Sequence, residues 1–483
     1  MRWARPDRVT DLFASRALLK LGRRAIELDP QFAMAPYQLA NLLFFRDISS
    51  QRQEIARASD LAARLPLPRQ HKLLIEAARL WLDGRWEDAD ETLKTAIREF
   101  PREPQPRLDL ADNLFVEGKP EESAQVLEQL VAFDQRNAEA YNALAYADAQ
   151  SGNFPKALEA VDKYAALLPP NDPNPIDTRG DVLAVSGRFE DAIAQYRKDL
   201  ELNPHFPSSK VKIALGYLYE GKYTLAETSA QEVLDRGNQA AKARATGVLG
   251  DIEVARGRLD RAAARYEEAA RPSAKLDTRI SLALEQKAVE IHLEQGQPEQ
   301  ALALADRLRS PWAPGFRGMA YLLLKNDVAA EKEFTSLRAS LTPVVGEYVA
   351  DKYIRLDRVL AALYAGRWQH VITEWPQVEA ASRNRLGLAV ARASLETGNW
   401  EEAERYLRVV PTSQRTWNDP LSIASSDFLT YVLSEFYLAK VFEHAGKRAD
   451  AVNAYQEFLS HFENSNARLL QIAEARAALK RLL

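Results

Sequence analysis

The chain has 483 residues, 46% hydrophobic and 27% charged, with 64 basic and 68 acidic side chains and a net charge of -4. That balance lacks the basic excess of a nucleic-acid-binding domain, and the absence of cysteine removes disulfides, thiol nucleophiles and cysteine metal sites. No stretch approaches the roughly 18 consecutive apolar residues that cross a bilayer, and the basic start Met1–Arg8 has no apolar run behind it, so a soluble cytoplasmic chain is expected.

The first predicted element is an amphipathic helix over 10–28, with Leu12, Phe13, Ala17, Leu18 and Leu21, closing on Ala25-Ile26-Glu27-Leu28-Asp29-Pro30. It reads as a cap or as the end of a broken first repeat. Ala40, Ala56 and Ala63 then mark a helix pair with a four-residue insertion around Ile48–Gln51. From there the chain becomes periodic. Gly84, Gly118, Gly152, Gly187 and Gly221 stand 34, 34, 35 and 34 residues apart, and five residues after each comes a small side chain: Ala89, Ser123, Ala157, Ala192 and Ala226. A repeat of this length with helical periodicity signals stacked helix pairs. The physical requirements are local. A left-handed turn at the end of the first helix needs glycine, and two helices approach closely only where a small side chain lies at their crossing.

The spacing then widens. Gly257, Gly296, Gly366, Gly398 and Gly446 keep the turn position, followed by Ala262, Ala301, Val371, Ala403 and Ala451. One degenerate unit fits between Gly296 and Gly366, with Gly318, Ala330 and Phe334 in register and Lys325 where glycine belongs. The last element is a helix over 467–483, with Leu469, Ile472, Ala473, Leu479 and Leu482 on its apolar face and Arg468, Gln471 and Glu474 off it.

The unit from Gly180 to Pro204 carries the fullest pattern: Gly180 in the first helix, Gly187 at the turn, Phe189, Ala192 at the crossing, Tyr196 and the closing Pro204. This resembles the tetratricopeptide repeat. The resemblance implies an all-α, right-handed superhelical α-solenoid of about twelve helix pairs, with a partial first repeat or cap (1–30), a regular array (31–308), divergent repeats (309–464) and a C-terminal capping helix (465–483). Asn171–Asp177 with Gly180-Asp181, and the stretch from Pro420 to Ala475, further resemble the repeat region of large bacterial signalling proteins. That region follows a serine/threonine kinase or a winged-helix domain in those proteins. The implied function is a non-catalytic scaffold for protein–protein interaction, the sensing or scaffold part of a bacterial signalling system. The alternatives are the regulatory C-terminal region of a kinase whose catalytic domain lies elsewhere, or the ligand-responsive region of a winged-helix regulator.

Catalytic readings are weak. The kinase signatures are absent. Gly216-Tyr-Leu-Tyr-Glu-Gly221-Lys222 imitates a phosphate-binding loop, but Tyr223 stands where magnesium needs a hydroxyl, and Gly221 is a turn glycine. Ser209 and Lys212 form an S-x-x-K without its companion motifs, so both are expected on a surface or groove. No two histidines have zinc-helix spacing. No cofactor or metal is expected.

In the family the resemblance names, the first helix of each pair lines a concave groove. Carried over, the partner-binding candidates are Trp81, Asp112, Phe115, Asn142, Tyr146, Asp181, Leu215 and Asp251. The carboxylates Asp112, Asp181 and Asp251 are expected to project together toward a neutral or basic protein segment, with Tyr146 and Phe115 as apolar anchors. Ala184 is expected to face the same groove, so that extra volume there meets solvent, unlike at Ala192.

Overall fold

In a computed structural model the described residues are 12–43, 48–204, 207–273, 278–378, 380–414, 427–463, 465 and 467–483. They contain 26 α-helices and no strand, and most of these residues are helical. The helices follow one another as α1 (Leu12–Leu28), α2 (Met34–Leu43), α3 (Ile48–Arg64), α4 (Arg69–Leu82), α5 (Trp86–Glu99), α6 (Gln105–Val116), α7 (Pro120–Phe133), α8 (Ala138–Gln150), α9 (Phe154–Leu167), α10 (Asn174–Val185), α11 (Phe189–Leu202), α12 (Pro207–Tyr219) and α13 (Tyr223–Arg236). They continue as α14 (Gln239–Ala255), α15 (Leu259–Ser273), α16 (Thr278–Glu294), α17 (Pro298–Ala305), α18 (Ala313–Leu323), α19 (Asp327–Val345), α20 (Glu347–Tyr364), α21 (Trp368–Glu374), α22 (Ala380–Glu396), α23 (Trp400–Gln414), α24 (Phe428–His444), α25 (Arg448–Ser460) and α26 (Leu470–Leu482). From α2 to α25 they form a series of helix pairs, an α-solenoid in which neighbours supply each other's core.

The turn glycines do what their periodicity demands. Gly84, Gly118, Gly152, Gly187, Gly221, Gly257, Gly296, Gly366, Gly398 and Gly446 all have φ between 65° and 83°. At these turns the amide after the glycine reaches back into the helix, as from Lys119 to the Leu114 carbonyl at 2.9 Å, which satisfies an orphan carbonyl of the helix end. Lys325 occupies the same turn with φ 59°, and the Asn326 amide makes the same bond to the Tyr321 carbonyl. The degenerate unit thus keeps the backbone and forgoes the glycine.

The crossing positions are equally uniform. Ala89, Ala157, Ala192, Ala226, Ala262, Ala301, Val371, Ala403 and Ala451 are fully buried. Ser123 is buried too, and its hydroxyl donates to the Ala111 carbonyl at 2.8 Å, which offsets the cost of burying it. A second contact uses a helix-A glycine against a helix-B aromatic ring. A Cβ on Gly180 would lie 2.4 Å from the Tyr196 ring, one on Gly250 2.4 Å from Tyr266, and one on Gly318 2.6 Å from Phe334.

One sequence expectation is filled in and two change. The insertion around Ile48–Gln51 is helical, because α3 begins at Ile48 and runs 17 residues, where α5, α7, α9, α11 and α13 each have 14. In α26 the buried face is Gln471, Ile472, Ala475 and Ala478, while Ala473 is exposed. Gln471 is buried because its amide donates to the Tyr437 hydroxyl at 3.0 Å. Ala184 is as fully buried as Ala192, so it does not face solvent.

The chain divides into two compact units. One comprises Met1–Ser186, Ala194–Phe206 and Thr342–Val349; the other comprises Gly187–Ile193, Pro207–Leu341 and Ala350–Leu483. In the first, the short segment 342–349 lies against the N-terminal repeats. The Arg52 guanidinium donates to the Leu82 carbonyl at 2.6 Å and the Val345 carbonyl at 3.1 Å, and a Cβ on Gly84 would meet the Tyr348 ring at 2.3 Å.

Candidate functional site

In the first unit, α4, α6, α8 and α10 carry the candidate side chains Trp81, Asp112, Phe115, Asn142, Tyr146 and Asp181. Helix α6 packs on α8, and α8 on α10. Trp81, at the end of α4, is half-buried and stacks on Trp86 with ring centroids 6.0 Å apart, while the Trp86 indole donates to the Trp81 carbonyl at 3.1 Å. Asp112 and Phe115 on α6 are half-buried, and Phe115 packs at the margin of the core formed by Leu108, Ala111 and Leu144.

The next residues along lie deeper. Asp181 is 1% exposed and accepts two phenols, from Tyr196 at 2.8 Å and Tyr146 at 3.0 Å. Thr178 donates to Asn142 at 2.9 Å beside them. Burial, reinforced by the carboxylates of Asp181 and Asp177, holds both tyrosine hydroxyls well above the usual phenol range. A phenol that stays protonated is a permanent donor, which suits it to hold a buried carboxylate.

In the second unit Leu215 on α12 is fully buried. Asp251 on α14 is 1% exposed and accepts the Tyr266 phenol at 2.6 Å and the Lys287 ammonium at 2.7 Å. Lys287 also lies 4.6 Å from the Tyr266 ring centroid. Burial raises the Asp251 carboxyl against the pull of Lys287. Of the three carboxylates, then, Asp112 is half-buried at the surface, and Asp181 and Asp251 are engaged internally.

The sequence carries a signal for this engagement. Asp181 and Asp251 each stand six residues before a turn glycine, Tyr196 and Tyr266 nine after it, and Lys212 and Lys287 nine before the next. An aspartate, a tyrosine and a lysine in that register describe a polar tie inside the array. Lys212 and Ser209, expected at a surface or groove, are both fully buried. Lys222 is exposed and pairs with Glu190 at 2.9 Å and Glu220 at 3.2 Å, just before α13.

Models of the tetratricopeptide repeat match residues 80–145, 211–276 and 434–465. The chain carries tetratricopeptide repeats. Protein O-mannosyl-transferase TMTC1 of Homo sapiens is 29% identical over 155 residues, 31% of this chain and 18% of the transferase. The chain therefore spans less than a fifth of that curated relative. Among solved structures, a tetratricopeptide repeat protein from Parabacteroides merdae is 14% identical, with 53% of this chain and 92% of that chain covered and a TM-score of 0.40. YrrB, described as a TPR protein with an unusual peptide-binding site, is 17% identical, with 38% of this chain and 92% of that chain covered and a TM-score of 0.25. Such repeats generally mediate binding between proteins. Among the described residues no helix is long and apolar enough to cross a membrane.

Proposed function

We propose that the chain is a non-catalytic scaffold that binds a protein segment along the helix-A faces of α4, α6 and α8. The observation that carries this reading is the half-buried row of Trp81, Asp112 and Phe115 on consecutive tetratricopeptide repeats. An aromatic ring with apolar area and a polar edge is a favoured interface residue. Further along, the buried Asn142, Tyr146 and Asp181 join α8 to α10 through their hydrogen bonds. Asp112 supports a neutral or basic segment as the partner, since a carboxylate that keeps part of its surface in water attracts cations over a screening length. Leu215 and Asp251 serve the array internally. The net charge of -4 supports a protein partner over nucleic acid.

We read this scaffold as the sensing or interaction part of a cytoplasmic bacterial signalling system; what supports this is the resemblance of Asn171–Asp177 with Gly180-Asp181, and of the stretch from Pro420 to Ala475, to the repeat region of such proteins. The burial of Lys212 and the ion pairs of Lys222 with Glu190 and Glu220 support the non-catalytic reading.

A peptide library displayed to the full chain tests it. Enriched peptides should carry Lys or Arg beside an apolar anchor and bind at least tenfold more weakly to Trp81→Ala or Phe115→Ala. Asp112→Asn should flatten the salt dependence of binding. Peptides that bind all three variants as they bind the native chain would place the site elsewhere.

A further inference from the structure

In the second unit the three repeats that span α12 to α17 do not present an open inner edge. The chain's own C-terminal repeat is seated there. Helix α24 packs on α14. The edge of Tyr219, at the end of α12, meets the rings of Phe428 at 5.3 Å and Tyr431 at 5.1 Å. One repeat further on, His461 turns its Nδ1 toward the Ala255 carbonyl and the Tyr223 hydroxyl, each at 3.3 Å, while its Nε2 lies 3.4 Å from Glu435. Ser465 then donates to the Gly257 carbonyl at 2.5 Å. In the repeat after that, the Arg468 amide donates to the Gln295 side chain at 3.2 Å, and Gln295 donates to Asp260 at 3.1 Å. The contacts thus fall on three successive A-to-B turns, in register with the repeat. Tyr219, Ala255 and Gln295 stand two, two and one residues before their turn glycines, Gly221, Gly257 and Gly296.

We propose that this edge of α12–α17 is a docking surface for an amphipathic helical hairpin with an aromatic face, and that the C-terminal repeat occupies it in cis until a partner hairpin of the same chemistry displaces it. The surface offers what such a hairpin needs. Tyr219 supplies an aromatic edge, which pairs well with other rings. The Ala255 and Gly257 carbonyls are fixed acceptors at a helix end, where backbone groups lack helical partners. Gln295 reads a backbone amide. The mating is also close: a Cβ on Gly257 would lie 2.5 Å from the Ser465 Cβ and 2.8 Å from the His461 carbonyl. The same addition at Gly221 or Gly296 meets nothing within 4 Å. This proposal concerns the second unit and stands apart from the groove reading of α4–α8.

That contrast gives the test. Gly257→Ala and Gly221→Ala suffer the same backbone strain, since both glycines have positive φ, 67° and 72°. Only Gly257→Ala also collides with the docked repeat. Hydrogen exchange on the full chain should be at least tenfold faster in α24–α26 for Gly257→Ala, and unchanged there for Gly221→Ala. A labelled synthetic peptide of residues 427–463 should bind the native chain weakly, because the cis copy competes, and Gly257→Ala no better, because the added Cβ meets the His461 carbonyl of any hairpin seated there. His461→Ala combined with Ser465→Ala removes the latch without straining a turn or altering the surface; it should speed exchange in α24–α26 and bind the peptide at least tenfold more tightly than the native chain. Equal exchange in α24–α26 for both glycine variants and an unresponsive double variant would overturn the cis latch. A peptide that binds all chains alike, or none, would overturn the docking surface.

Discussion

Lys325 shows what a single residue contributes to this array. It holds a left-handed backbone at φ 59° on an exposed turn, where ten sister turns have glycine. The Cβ strain of that conformation is about 1 kcal/mol. Lys325→Gly should raise stability by about 0.5–1 kcal/mol, part of the gain being offset by the freer unfolded chain; an unchanged or lower denaturant midpoint would contradict this. Asp90 is a second such residue. It is buried on α5, and burial together with the nearby Glu117 raises its carboxyl to about 7. Asn113 donates to it at 3.4 Å, and one oxygen of the buried Glu117 has no hydrogen-bond partner. An acid raised in the fold binds its proton more tightly there than in the unfolded chain. Its presence is therefore harmless below about pH 4, costs progressively more as pH rises toward 7, and costs a constant amount above that. Asp90→Asn should stabilise the chain by about 1–3 kcal/mol at pH 8 and by little at pH 4. Urea titrations at the two pH values check the difference, and a gain equal at both would assign it to something other than titration.

Between elements, the decisive contacts join a helix A to its own helix B and to the next helix A. Lys287 on α16 reaches Asp251 on α14, with the Tyr266 phenol of α15 completing the tie. Removing one partner of a buried ion pair leaves the other charge unpaired, at about 3–5 kcal/mol. Lys287→Met should cost that much, and a second change, Asp251→Leu, should recover part of it. A double variant worse than the single one would mean that the pair adds net stability of its own. The helix crossings are the apolar counterpart. Ala192 and Ala184 are both 0% exposed, so Ala192→Leu and Ala184→Leu should each lower stability by about 1–3 kcal/mol. The groove register carried over from the resemblance suggested that Ala184 would be spared. It missed this because the inner face of a helix A is also a packing face for the neighbouring repeats.

Over the whole molecule the secondary structure should read as helix alone. With most of the described residues helical and no strand among them, far-UV circular dichroism should give a helical spectrum without a β component, and a measured sheet fraction above about 10% would be incompatible with stacked helix pairs. The second unit contains a further long-range tie. Arg392 on α22 pairs with Glu294 on α16, and its guanidinium lies 5.4 Å from the Tyr437 ring centroid of α24. Residues 98 apart in sequence are brought together there.

Periodic local requirements were legible from the sequence by itself. A left-handed turn calls for glycine, a close crossing calls for alanine, and both repeat at the same interval, so the turns, the crossings and even the irregular Lys325 unit could be placed without coordinates. The fates of the individual inner-face residues were not legible. Asp112, Asp181 and Asp251 hold the same position relative to their turns, yet the first is half-buried and the others are sealed under tyrosines. The difference lies in what the second helix of the same pair brings: Leu127 follows Asp112 where Tyr196 and Tyr266 follow the other two. Only the tertiary structure decided that the C-terminal repeat sits on the turns of α12–α17. His461 and Ala255 are 206 residues apart, and their meeting depends on small rotations added over many repeats, which no local rule of sequence records.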